Sequence, residues 1–272
     1  MIFPIRDENP QINIPYVTYG LIALNIVAWL ALQGLGSEPA LSRSVCNFGL
    51  IPADLTGAEF NPAGLYCEID GHPDWYTLVS TMFMHGSWMH LIGNMWFLWI
   101  FGNNVEDAMG PVRFIIFYTL TGLAAAVAQI MADSASIIPM VGASGAIGGV
   151  MGAYIVLYPR VHVHMFVMLI FRSFAVPAFL MLGYWIIVQV VGGYSSIGAS
   201  GGGVAFWAHI GGFVSGMALI FIFKNEALLS NINTVAGIKN VMQKLYGQKF
   251  QPKRNAGNKH CRQVILVDCT EK

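Results

Sequence analysis

The chain has 272 residues, of which 56% are hydrophobic and only 10% charged, well below the ~25% charged share of soluble domains. Its fourteen basic and fourteen acidic residues cancel to a net charge of zero, which removes any electrostatic reason to expect nucleic-acid binding. Four cysteines with no Cys-x-x-Cys pair exclude a disulfide scaffold and a zinc knuckle, and the composition is that of an integral membrane protein.

Residues 1–15 form a short segment whose Asp7 and Glu8 are unlike the basic start of a signal peptide, so the apolar stretch near 16–35 is expected to remain as a membrane helix. A long loop, 36–87, follows with Pro39, Pro52, Pro62 and Pro73 as punctuation, and its apolar patches suggest short helices at the membrane interface. Cys46 and Cys67 both fall in this loop, so a disulfide between them is chemically allowed if that compartment is oxidising. Further apolar stretches near 88–103, 112–132, 144–159, 174–192 and 203–223 complete an all-α bundle of six transmembrane helices over 16–223. The glycine-rich link from Gly192 to Gly203 marks the fifth span and its outer cap as the expected mobile gate. The tail, 224–272, carries nine basic and three acidic residues, and is either solvated or drawn to anionic lipid; "QVILVD" at 263–268 reads as a short strand.

Basic residues fix the expected orientation. With the N-terminus cytoplasmic, six spans leave thirteen of the fourteen Lys and Arg inside and only Arg43 outside, and both termini are then cytoplasmic. Adding or losing one span scrambles that count.

Polar side chains at membrane depth are costly unless partnered, which makes each a candidate for function. Four stand out: His90 and Asn94 in the second span, Ser144 at the head of the fourth, and His209 in the sixth. Gly145 and Gly149, like Gly212 and Gly216, form small-xxx-small pairs that let two helices approach backbone to backbone. The sixteen residues from Ser144 to Pro159 span about 24 Å, short of the ~30 Å hydrocarbon core, so Ser144 starts below the outer surface. His209 lies at a similar depth. The non-helical "SIIPMVG" before Ser144 must then dip into the membrane under cover of protein or water.

A serine hydroxyl is a poor nucleophile until a neighbouring base takes its proton, and a neutral imidazole is the usual base. No carboxylate falls within a predicted span to orient His209, so a Ser-His dyad is the most that the residues permit. Ser144, at a helix start, has an unpaired N–H, and His90 and Asn94, four apart on one face, can aim donors at the same oxyanion. The alternative for that pair is interhelical hydrogen bonding. A metal site of His85, His90 and His209 is the weaker reading, because no cysteine or carboxylate completes it.

The motifs "HGSWMHLIGN", "GASG" (Gly142 to Gly145) and "AHIGGFVSG", in this order and with six spans, resemble the rhomboid family of intramembrane serine proteases. The resemblance implies a peptidase that cleaves transmembrane protein substrates near the outer face of a cell or inner membrane, without metal or cofactor. It makes Ser144 the nucleophile and His209 the base, with His90, Asn94 and the Ser144 amide at the oxyanion. His85, Gly142 and Gly145 become supporting residues. Catalytically silent relatives that escort membrane proteins usually lack the serine or the histidine, and both are present here. Two positions depart from the family pattern. Trp75-Tyr76 stands where Trp-Arg is common, and Gly148 stands where an aromatic often stacks on the histidine, leaving Trp207 or Tyr154 as candidates to hold His209.

Overall fold

The computed structural model describes residues 2–59, 66–197 and 203–246; the 263–268 segment and the middle of the Gly192–Gly203 link lie outside them. The elements are β1 (Ile2–Asp7), α1 (Tyr16–Ala31), α2 (Ala40–Phe48), α3 (Pro52–Thr56), α4 (Thr77–Ser80), α5 (Trp88–Phe97), α6 (Asn103–Met109) and α7 (Pro111–Ala132), then α8 (Ser144–Leu157), β2 (His162–Val167), β3 (Arg172–Pro177), α9 (Ala178–Ser195), α10 (Phe206–Phe223) and α11 (Glu226–Tyr246). The fold is mostly helical. Among the described residues α7, α9 and α10 are long and apolar enough to cross a membrane, and α1 and α8 are shorter apolar helices.

α8 is the centre of the bundle. Every residue from Gly145 to Tyr154 is buried, as expected of a helix that is apolar all round. Its glycines meet those of α10 with no side chain between: a Cβ on Gly212 would lie 1.9 Å from the Gly145 carbonyl oxygen, and one on Gly216 2.0 Å from that of Gly149. The small-residue faces thus pack as the spacing predicts.

Three features differ from the sequence expectation. First, the fold is not all-α: β1, β2 and β3 form an antiparallel sheet in that order, so residues 172–177 are strand and the fifth helix begins at Ala178, not near 174. β1 pairs with a hairpin some 160 residues away, and Asp7 anchors it by accepting hydrogen bonds from Tyr154 Oη and Asn104 Nδ2 (2.7 Å for the latter).

Second, the second span continues past 103 through a π-helical turn, Leu98–Gly102, into α6. Its last turn carries two buried carboxylates. Glu106 accepts from the Val17 and Thr18 backbone N–H groups and from Thr18 Oγ1, and Asp107 accepts from the Ile12 and Asn13 N–H groups. The orphan donors at the start of α1 are therefore satisfied from the neighbouring helix. Gly110, at φ 84°, ends α6, and Pro111 restarts the chain as α7.

Third, the tail begins as α11, which packs against the bundle through Leu229 and the buried Ile232. The connection between α1 and α5 contains the short helices α2 to α4, and Cys46 and Cys67 form a disulfide within it.

Candidate active site

Ser144 is the first residue of α8, so its N–H has no intrahelical acceptor. The chain that delivers it is non-helical, as "SIIPMVG" required, and is held on both sides. Met140 exchanges backbone hydrogen bonds with Leu50 (2.9 and 2.7 Å), and the Gly142 N–H donates to the Thr81 carbonyl at 2.9 Å.

His209 comes from the second turn of α10. Its Nε2 lies 2.7 Å from Ser144 Oγ, in hydrogen-bond reach. The close approach of α8 and α10 makes this possible, because Gly145 and Gly212, the residues adjoining the pair, let the two backbones touch. Both Ser144 and His209 are half-buried.

α5 supplies the facing groups. Ser87 caps it, its hydroxyl accepting from the His90 N–H at 3.2 Å. His90 Nδ1 accepts from the Gly86 N–H at 3.4 Å, which leaves Nε2 to carry the ring proton. A Cβ on Gly142 would sit 2.7 Å from that Nε2 and 3.4 Å from Ser144 Oγ, so imidazole and hydroxyl converge on one point, and Gly142 at φ 131° keeps the point open. Asn94, one turn further along α5, is buried, and its Nδ2 has no hydrogen-bond partner among the described residues. His85 packs edge-on against His90, with ring centroids 5.0 Å apart. Its backbone is gripped by the buried Gln33, whose amide accepts from the His85 N–H (2.9 Å) and donates to its carbonyl (2.7 Å).

The remaining partner of His209 is one that sequence reasoning passed over. Gln189 of α9 places Oε1 2.7 Å from His209 Nδ1, and Trp185, one turn earlier on α9, lies over the imidazole with centroids 5.7 Å apart at a 35° tilt. Neither Trp207 nor Tyr154 holds the ring: Trp207 packs against Tyr194, and Tyr154 bonds to Asp7. The signal was present in "WIIVQVV", where Gln189 interrupts an apolar span as conspicuously as His209 does its own.

A sequence model of the Rhomboid domain matches residues 72–226, more than half of the chain, including Ser144, His209, His90, Asn94, His85 and Gln189. The chain belongs to the rhomboid family. It is similar to Rhomboid protein 1, mitochondrial, of Saccharomyces cerevisiae (25% identity, covering 74% of this chain and 51% of the relative). It is also similar to Rhomboid-like protein 11, chloroplastic, of Arabidopsis thaliana (29%, covering 55% and 53%) and to Rhomboid protease GluP of Bacillus subtilis (29%, covering 74% and 34%). The chain spans about half the length of the first two of these relatives and a third of the last.

In this rhomboid Tyr76 ties together the connection between α1 and α5, while Trp75 is exposed. The Tyr76 hydroxyl donates to the Asn47 carbonyl at 2.8 Å and its ring packs edge-on against Phe48. Burial, then the hydrogen bond to Asp74, pushes the Tyr76 pKa upward. At Gly148, where an aromatic side chain would rise from α8, a Cβ would come within 3.0 Å of the His209 carbonyl, and the aromatic contact comes from α9.

Proposed function

We propose that this rhomboid is an active intramembrane serine endopeptidase that cleaves transmembrane protein substrates near the outer membrane face through a Ser144–His209 dyad. The observation that carries the reading is the 2.7 Å contact between His209 Nε2 and Ser144 Oγ, a nucleophile and a base in direct reach. As Oγ attacks the scissile carbonyl carbon, its proton passes to Nε2. The carbonyl oxygen takes up the electron pair, and when it returns, the C–N bond breaks and the amine leaves with the proton from Nε2. Water then attacks the acyl-serine by the same proton path in reverse roles.

The Ser144 N–H, the Asn94 amide and His90 Nε2–H are the donors for the oxyanion. The unpartnered Asn94 Nδ2 supports this over interhelical glue, because a buried donor without a partner is costly unless it serves a ligand. No cofactor enters the reaction.

Six crossings with both termini cytoplasmic follow from the charge count and agree with how the ends associate. β1 joins the hairpin between α8 and α9, and α11 packs near the end of α6, all on one side; Leu50 and Met140, from the first and third connections, pair on the other. The disulfide sits in the connection assigned to the outer, oxidising side. The basic tail is available to anionic lipid headgroups, and a cell or inner membrane is the proposed location.

The test is cleavage of a tagged single-span substrate in proteoliposomes by wild type, Ser144→Ala and His209→Ala. Loss in both variants, with folding kept, is the expected result; full cleavage by Ser144→Ala would overturn the mechanism.

A further inference from the structure

The dyad as it stands lacks what a Ser-His pair needs from a third group: something to fix which imidazole nitrogen carries the proton. The base works only if Nε2 is bare and Nδ1 protonated. Among the described residues no carboxylate bonds to Nδ1; Gln189 Oε1 lies 2.7 Å from it. The orientation of the amide is settled by its other end. Gln189 Nε2 donates to the Trp185 carbonyl one turn back on α9, at 3.3 Å, which leaves Oε1 as the atom facing His209. An amide oxygen can only accept, so Nδ1 carries the hydrogen and Nε2 presents its lone pair to Ser144 Oγ–H. We infer that Gln189 is the positioning residue of His209, fixing its tautomer, and that with Trp185 it makes the competence of the dyad depend on the seating of α9; this rests on the proteolytic reading above.

The packing of α9 supports the second half of the inference. Its buried residues are Ala178, Leu182, Gln189 and Gly193, a single narrow stripe, while Tyr184, Ile187, Val188 and Val191 are exposed. A glutamine on the stripe of an apolar helix is costly to bury, and this one is fully engaged at both ends. Trp185 and Gln189 share one face, four residues apart, so the ring contact and the Nδ1 bond come from successive turns of the same helix. A departure of α9 strips His209 of both at once.

The experiment compares kcat and KM for a single-span substrate in wild type, Gln189→Leu, Gln189→Met and Gln189→Glu. General-base catalysis contributes about 10²–10⁴-fold, and losing the orientation of the base forfeits part of it. Gln189→Leu and Gln189→Met should lower kcat about 10- to 100-fold with KM within about twofold, and Gln189→Glu, which keeps an acceptor oxygen in place, should recover most of it. A loss confined to KM, or kcat unchanged in the apolar variants, or no recovery in a folded Gln189→Glu, would overturn the inference. A second readout is independent of proteolysis: NMR of ring-labelled histidine in the Ser144→Ala protein. The Nδ1–H tautomer of His209 is expected there and should be lost on adding Gln189→Leu. An Nε2–H tautomer with Gln189 intact refutes the inference whether or not the apolar variants fold. If wild type cleaves nothing, the proteolytic reading fails, and the tautomer measurement still decides the role of Gln189.

Discussion

Replacing Gly212 by alanine adds one methyl group at the point where α10 touches α8. That Cβ would lie 1.9 Å from the Gly145 carbonyl oxygen, about 1.5 Å short of the ~3.4 Å at which ordinary contact begins. The obstacle is backbone in the buried stretch of α8, so no side chain can swing away. The two helices must part by about 1 Å or more, and the parting falls between Ser144, which precedes Gly145, and His209, one turn before Gly212. Their 2.7 Å contact cannot survive it. Misplacement by about 1 Å costs on the order of 10²-fold in rate, and overpacking a tight contact costs about 1–3 kcal/mol. We therefore expect Gly212→Ala to lower kcat about 100-fold and to reduce the thermal midpoint in detergent. Gly93→Ala, where nothing lies within 4 Å of the added methyl, should change neither. Cleavage in proteoliposomes and detergent melting measure both quantities. A Gly212→Ala enzyme that cuts and melts like wild type would show that the glycine contact does not set the geometry of the dyad.

Asn94→Leu should lower kcat by about 10²–10³-fold while leaving KM and the melting midpoint near wild type, because the lost Nδ2 donor has no structural partner; a fall in stability with kcat preserved would return Asn94 to a packing role. Glu106→Ala should act in the opposite way. Its carboxylate accepts three hydrogen bonds at the start of α1, so its removal is expected to cost about 3 kcal/mol in a detergent unfolding titration, with Glu106→Gln intermediate. An unaltered unfolding midpoint in Glu106→Ala would contradict the capping argument.

Ser144, His209, His90 and Asn94 were legible because each is polar where the chain is otherwise apolar, and the glycine spacing announced which helices meet. The same rule reaches Gln189, but its role is to hold a histidine on another helix, and that pairing is set by the crossing of α9 and α10, which no local spacing announces. Trp185 was illegible for a different reason: an aromatic residue in an aromatic-rich span carries no mark, and its contact with His209 depends on the crossing of α9 and α10. The sheet was hidden because β1 finds its partner far along the chain, and strand pairing at that separation leaves no local pattern. Glu106 and Asp107 shortened the second span on paper, since charge normally ends a membrane helix. Here they extend it, serving the first turn of its neighbour.

The strands at one end of the bundle have a mechanical meaning for the site at the other. β3 runs directly into α9, and the first turn of α9 is tied down by the Ala178 N–H to Val161 and the Phe179 N–H to Pro159 (2.8 and 3.0 Å). β1, riveted to the bundle through Asp7, braces the same hairpin. The first turn of α9 is thus a fixed pivot, and the far end of the helix is held by side-chain packing, Tyr194 against Trp207. Gln189 stands eleven residues up the helix, about 16 Å from the pivot, so a tilt of only ~10° carries its amide about 3 Å. That travel is as long as the hydrogen bond it makes. A small lean of one helix is therefore enough to break the contact between Gln189 and His209, and the sheet sets where the helix bends from.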